Sequence, residues 1–271
     1  MSDYINSVSL TSLAATLADA IGIERPEKAN PPIGALAALA GKVDRIFMYN
    51  PDAVALWLYQ KYTVLFDDVV KHTSLALPLC SVMPSVTPVC FGTMYTGAYP
   101  EVHGIRKYAK PVIKIDTIFD AIIRAGKKCA IVCDNECSMG KIFLERDMDY
   151  FYFDDVDAIN AKAMELIKED KYDLICVYNG NYDSTMHKNG TEAPVSIEAL
   201  KHNVAAFDMF ATAIKENWTG HDTLIGFAMD HGCHDCDPFF KNGKLYLGSH
   251  GKDLDADRFI RHRYQIYPKT K

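Results

Sequence analysis

Four times along the chain a short, wholly apolar run adjoins a stretch of helical spacing, and this alternation restricts the fold more than any other feature. The runs are RIFMY (45–49), KCAIVC (128–133), DLICVYN (173–179) and TLIGFAMD (223–230). Their helical partners are AVALWLYQKY, TIFDAIIRAG, AINAKAMELIKED and ALKHNVAAFDMFATAIKENW. A strand with no polar alternation is buried on both faces, as happens where helices cover a largely parallel sheet. The expected fold is therefore α/β, a three-layer sandwich with a mostly parallel central sheet. Before the first run, Leu10, Leu13, Ala14, Leu17 and Ile21 follow helical spacing, with Ser9 or Thr11 as cap and Gly22 near the stop. No linker divides the 271 residues, so 1–271 reads as one domain. A chain of this length buries a core without disulfide staples.

Charge and leader signals narrow the partners. The formal net charge is −6, which argues against a nucleic-acid polymer bound through bulk charge. A small anionic substrate stays compatible, because a local metal can dominate the field of a pocket. MSDYINSVSL lacks the basic start and apolar run of a secretory signal, and no apolar stretch of about 18 residues occurs. The expectation is a cytoplasmic protein with no membrane partner, its eight cysteines being buried thiols. Homo-oligomerisation stays open.

The strands run into unusual polar residues. Asn50 and Asp52 stand at the carboxyl end of the first strand, where open α/β sheets bind ligands. The last run ends in Asp230-His231-Gly232. The run before it passes through Asn179 into Asp183-Ser184-Thr185-Met186-His187, and Gly248-Ser249-His250-Gly251 comes later. Each of these three segments is read as starting from or following a parallel strand, so that Asp and His gather at one sheet edge. They are the hard and borderline ligands suited to zinc or manganese. The stretch 84–105, PSVTPVCFGTMYTGAYPEVHGI, carries Ser85, Thr87, Thr93 and Thr96 around a helix ended by Gly97. Those hydroxyls either cap the helix or place one oxygen at its N-terminus, where free N–H groups favour a phosphoryl anion.

Together the blocks TPVCFGTMYTGAYPEVHGI (87–105), DSTMHKNG (183–190), MDHG (229–232) and GSHG (248–251) resemble the alkaline phosphatase superfamily, in its nucleotide pyrophosphatase/phosphodiesterase branch. The resemblance implies an alkaline-phosphatase-like fold and a two-metal phosphoester hydrolase with a phospho-enzyme intermediate. The family's nucleophile lies ten residues before the glycine of Thr-Gly-x-x-Pro, which is Thr87, with Ser85 and Thr93 as fallbacks. It also implies one metal on Asp183, His187 and His250, and a second on Asp52, Thr87, Asp230 and His231. Zinc is the expected ion and manganese the alternative. The small substrate would be phosphorylated.

Two departures from the family pattern stand out. The family reads Asp-Gly after the first strand, where this chain has Asn50-Pro51-Asp52-Ala53. Asp52 is chosen for its charge, with Asn50 the neutral alternative. The family's oxygen-holding Asn after His-Gly-Ile is replaced by Arg106, Lys107 and Tyr108, which become the expected substrate-binding residues. Cys233-His234-Asp235-Cys236 has no second pair of thiols at zinc spacing, so it reads as a substrate-side loop with His234 toward the pocket. A phosphomutase-like member, or a non-catalytic protein keeping the metal cradle, remains the alternative. A sulfatase is disfavoured because Cys90 is followed by Phe91-Gly92.

Overall fold

The computed structural model describes residues 8–39 and 43–270; residues 1–7, on which the reading of the N-terminus rests, lie outside them. Seven strands form the central sheet: β1 (Arg45–Pro51), β2 (Leu75–Cys80), β3 (Cys129–Asp134), β4 (Asp149–Phe153), β5 (Leu174–Asn179), β6 (Thr223–Phe227) and β9 (Phe259–Tyr267). A separate antiparallel hairpin consists of β7 (His234–Lys241) and β8 (Lys244–Ser249). The sheet order is β2-β9-β6-β1-β5-β3-β4. Strands β6, β1, β5, β3 and β4 pair in parallel, and β9 is antiparallel to both β6 and β2, so β9 alone runs against the rest. The sheet is mostly parallel, as the apolar runs require.

Helices cover both faces. The principal ones are α1 (Leu13–Ile21), α2 (Thr87–Thr96), α3 (Ile118–Arg124), α4 (Val156–Glu169), α5 (Asn181–Asn189) and α6 (Pro194–Asn217). Alternation along β1 separates the layers. Phe47 and Tyr49 pack on Phe210 of α6, at 5.3 and 5.5 Å between ring centroids. One residue further, Asn50 turns to the opposite face and accepts a 2.7 Å hydrogen bond from Tyr95 of α2. Helices α1, α2 and α3 pack on one another, as do α4 and α6. Among the described residues no helix is long and apolar enough to cross a membrane.

Local signals explain the first helix. Ser9 accepts from the Thr11 N–H to open a 3-10 turn, and Gly22 closes α1 in the left-handed conformation (φ 74°) that glycine adopts without penalty. All eight cysteines are free thiols, six of them buried.

Several elements differ from the expectation. Strand β1 runs on past the apolar run 45–49 and pairs through Pro51, opposite Asn179. The following helix starts at Leu56 instead of Ala53, because Ala53 is left-handed (φ 63°). His250 follows β8 of the antiparallel hairpin, not a parallel strand. Strand β1 lies between β5 and β6, so the chain leaves the carboxyl ends of three adjacent strands toward Asp52, Asp183 and Asp230. That placement at a change in strand order is where doubly wound sheets form their crevice.

Candidate metal centre

The six Asp and His residues assemble into two groups, within each of which the ligand atoms lie within 4.8 Å of one another. In the first, α5 carries Asp183 and His187 four residues apart on one face. His187 Nε2 is 3.3 Å and His250 Nε2 3.4 Å from the same Asp183 Oδ1. In the second, His231 Nε2 lies 3.4 Å from Asp52 Oδ1 and 3.3 Å from Asp230 Oδ2. The rings of His231 and His250 stack with centroids 4.1 Å apart, so the groups adjoin.

Three observations test whether this donor set fits divalent cations. Asp52 Oδ1, Asp183 Oδ1 and Asp230 Oδ2 are buried without a hydrogen-bond partner, and they are the oxygens that face the imidazoles. Orphaned buried carboxylate oxygens are strongly unfavourable unless a cation completes them. Next, each imidazole donates from Nδ1 to a backbone carbonyl: His187 to Gly248 (2.8 Å), His231 to Gly232 (2.9 Å) and His250 to Ser85 (3.0 Å). This leaves the Nε2 lone pairs facing the carboxylates, the arrangement that orients metal-ligating histidines. Finally, a tetrahedral site with bonds of about 2.0–2.1 Å has ligand-to-ligand edges of about 3.3 Å, matching the observed spacing. The residues fit.

Electrostatics agree. Among the described residues no Lys or Arg pairs with Asp52, Asp183 or Asp230. Burial, and then the charge of Asp183, push the Asp52 carboxyl up to about 7. Burial and the charge of Asp52 hold Asp230 well above the usual carboxylate range. Burial acts the same way on Asp183, but His187 and His250 outweigh it and draw its carboxyl below that range. Burial, reinforced by the neighbouring His250, keeps His231 neutral. Negative charge is thus disfavoured on Asp52 and Asp230, while the two imidazoles beside Asp183 sustain it there.

Thr87 stands against the second group. It opens α2, whose N-cap Val86 is extended and offers no side-chain cap. Its hydroxyl, buried with the residue 4% exposed, donates to Asp52 Oδ2 at 3.3 Å and lies 3.4 Å from His231 Nε2. The capping role is therefore not what Thr87 does. Nor does the helix start offer a row of free donors: Pro88 has no N–H, and the Val89 and Cys90 N–H groups both donate to the Val86 carbonyl. Neither alternative hydroxyl shows a contact with the two groups. Thr93 Oγ1 is 3.1 Å from His103 Nε2, and the Ser85 hydroxyl is buried without a partner. Asn50 donates to the Ala228 carbonyl and accepts from Tyr95, so Asp52 alone of the pair reaches the group. Ala53 donates its N–H to Asp230 Oδ1 at 3.4 Å from its left-handed conformation. The backbone directly after Asp52 thus has the geometry that glycine adopts without penalty, although the residue there is alanine.

A cavity of about 510 Å³ opens over Asp183, His187 and His250. Of the four residues expected to bind substrate, only Tyr108 lines it. Arg106 and Lys107 are exposed outside, Arg106 reaching the Glu101 carbonyl. His234 donates from Nδ1 to buried Asp257 at 2.6 Å and is absent from the wall, because strand pairing in β7 turns it to that carboxylate. Cys233 is buried beside the Tyr182 hydroxyl at 3.6 Å.

Sequence reasoning missed two features. Tyr178 donates a 2.5 Å hydrogen bond to Asp52 Oδ2, yet at the end of an apolar run it reads as core. The hairpin forms one cavity wall through Phe239, Lys244 and Tyr246. Its signal was present: Asn242-Gly243, with both φ positive, is the preferred two-residue hairpin turn.

Residues 52–111 match the family model of type I phosphodiesterases/nucleotide pyrophosphatases, a segment that opens on Asp52 and contains Thr87 and Tyr108. No curated protein matches the chain at a significant level. Among solved structures, the fold is shared with an inactive variant of murine ectonucleotide pyrophosphatase/phosphodiesterase 5 in complex with AMP. That pair has a TM-score of 0.65 and 14% identity, over 81% of this chain and 87% of the other. The human counterpart gives a TM-score of 0.61 and 14% identity, over 82% and 87%. The chain thus has the fold of the alkaline phosphatase superfamily in its nucleotide pyrophosphatase/phosphodiesterase form, with that family's sequence pattern running from Asp52 to Pro111.

Proposed function

We propose that residues 1–271 act as a single metal-dependent phosphoester hydrolase domain with Thr87 as nucleophile. The observation that carries this reading is the set of three buried, partnerless carboxylate oxygens facing imidazole nitrogens beside a threonine hydroxyl. The matching family segment and fold support phosphoester hydrolysis. Asp183, His187 and His250 would hold one divalent ion, and Asp52, Asp230, His231 and Thr87 the other. Zinc suits the Asp/His set, with manganese the alternative. Ions there supply the positive charge that makes a threonine alkoxide accessible at neutral pH and offsets charge developing on phosphoryl oxygens.

The chain's own residues do the rest. Asp52 Oδ2 orients Thr87 Oγ1, and Tyr178 in turn holds Asp52. Thr87 Oγ1 attacks phosphorus in line, the leaving oxygen departs on the far side, and phospho-threonine forms. Water then attacks that phosphorus and restores the hydroxyl. Tyr108, in the cavity wall, is the polar group placed to meet substrate in the absence of the family's Asn. The AMP held by the murine neighbour supports a small nucleotide as one substrate to assay.

Metal analysis of purified protein should give about two zinc or manganese equivalents per chain. Hydrolysis of 4-nitrophenyl phosphate and bis(4-nitrophenyl) phosphate should fall by about 10³-fold or more in Thr87→Ala with metal retained. Wild-type rates in that variant would overturn the nucleophile assignment. Full metal without turnover in the native chain would favour the non-catalytic binder.

A further inference from the structure

Asp230 and His231 stand on backbone that no regular element holds. Strand β6 ends at Phe227, and residues 228–233 form neither strand nor helix, yet every one of them is buried. The first group differs: Asp183 and His187 ride on α5, whose own backbone ladder fixes them. Buried carbonyls need partners, and a segment outside helix and sheet must take them from side chains.

Four side chains from separate parts of the chain supply them. Asn50 of β1 donates to the Ala228 carbonyl at 2.7 Å and His262 of β9 to the Met229 carbonyl at 2.6 Å. Ser81, directly after β2, donates to the Asp230 carbonyl at 2.9 Å, and Trp57, on the short helix Leu56–Lys61, to that of Cys233 at 2.8 Å. The Gly232 N–H donates to the Asp257 carbonyl, and a Cβ on Gly232 would stand 2.0 Å from the Ala256 carbonyl oxygen, so the chain is pressed against a fixed neighbour there.

His262 takes over where the sheet stops. The ladder between β6 and β9 ends at Phe227 opposite Arg263, and the adjoining His262 reaches the departing chain with its ring instead of its backbone. Burial lowers the imidazole to about 4, so the ring is neutral. A carbonyl only accepts, so Nε2 carries the proton and Nδ1 accepts from the Tyr264 hydroxyl at 2.8 Å. Ser81 is backed in a similar way. Its hydroxyl proton points to the Asp230 carbonyl, so the Cys90 thiol, 3.1 Å away, donates to the hydroxyl oxygen, while the Ser81 N–H donates to the Arg258 carbonyl. Cys90 lies about one turn beyond Thr87 on α2, so two side chains join the helix of the nucleophile to the backbone of Asp230.

We propose that His262 and Ser81 are positioning residues for the second group: by holding the Met229 and Asp230 carbonyls they fix where the Asp230 carboxylate and the His231 ring point. This rests on the metal-dependent reading and deepens it, assigning control of one ion's affinity to residues outside both ligand sets. The two groups then differ in kind. A ligand pair on a helix withstands the loss of one outside contact, whereas Asp230 and His231 lose their alignment with Asp52 when a carbonyl beside them is released.

The test reads each group alone in the full-length protein. Asp183→Asn disables the first group and Asp230→Asn the second, and the zinc affinity that remains is measured by competition with a chromogenic chelator. Adding His262→Phe should weaken zinc about tenfold or more in the Asp183→Asn protein and less than about twofold in the Asp230→Asn protein. His262→Gln, whose amide keeps an N–H donor, should recover most of the loss. Ser81→Ala, a smaller truncation, should give the same one-sided loss and carries the comparison if the phenylalanine variant does not fold. A loss shared equally by both groups, as general loosening would produce, or no loss at the second group overturns the proposal. Failure of the underlying reading has a different signature: the native chain itself would take up no zinc, and the inference falls with it.

Discussion

Replacing Asp52 by asparagine should make the metal-free protein more stable. The Asp52 carboxyl sits at about 7 in the folded chain against an ordinary value of 3.8, with burial the main cause. That gap of roughly three units corresponds to about 4 kcal/mol of differential proton binding. The sign follows from linkage: a folded-state value above the unfolded one gives stability that is full below about pH 4 and lost as pH rises through about 7. Metal-stripped wild type should therefore weaken between those limits and level off above. The introduced asparagine does not titrate, its carbonyl still accepts from Tyr178 and Thr87, and its amide faces His231 Nε2, which lies 3.4 Å from the atom replaced. In chelator at about pH 8 the Asp52→Asn variant should exceed wild type by up to about 4 kcal/mol, or about 8–16 °C in Tm for a chain of this size, and the two should converge near pH 4. Added zinc should reverse the order, because only the charged ligand gains from the ion. Urea or thermal unfolding across the pH series measures all of this. A wild-type to variant difference that is flat with pH in chelator would refute the claim that a buried, uncompensated carboxylate sits there.

Three further outcomes follow from single contacts. Ala53→Gly should stabilise the protein by up to about 1 kcal/mol in denaturant titration, since relief of the left-handed alanine outweighs the extra freedom of glycine in the unfolded chain. A loss of stability would contradict that backbone geometry. Tyr178→Phe removes the 2.5 Å hydrogen bond to Asp52 and should weaken metal binding about tenfold or more in competition with a chromogenic chelator; equal affinity would remove Tyr178 from any positioning role. Gly248→Ala should cost about 1–3 kcal/mol and lower metal stoichiometry, because its Cβ would collide with the Met186 carbonyl while its own carbonyl orients His187.

The part of the fold legible in the sequence is the part buried on both faces. Strands β1, β3, β5 and β6 announce themselves as unbroken apolar runs because helices cover them above and below. Strand β9 reads FIRHRYQIY, whose charged residues and partly exposed ends suit an antiparallel strand near the edge, and a search for continuous apolar runs passes over it. Strand β2 is half-buried and interrupted by Pro78, and β7 holds Pro238 beside a register shift, so neither carries that signal. The hairpin was announced by its turn instead of its strands. Overlooking Asn242-Gly243 removed from view the wall on which Lys244 and Tyr246 stand.

The gathering of the Asp and His side chains was legible for a different reason. Asp52, Asp183 and Asp230 are far apart in the chain, but each leaves the carboxyl end of a strand, and the order β6-β1-β5 makes those ends neighbours. Residue type at strand ends therefore carried spatial information without any contact being known. What held the residues in place was less visible, because positioning groups resemble ordinary core: Tyr178 is a tyrosine in an apolar strand, and the carbonyls of Gly232, Gly248 and Ser85 belong to backbone. Arg106 and Lys107 mark the limit of reading a site from charge. Their charge made them attractive as partners for a phosphate, but charge does not determine direction, and both stand outside the cavity that Tyr108 enters. Asp52 and Asp230, buried carboxylates with no cation beside them, work against the folding of the empty chain, so their persistence there is best understood through what they bind.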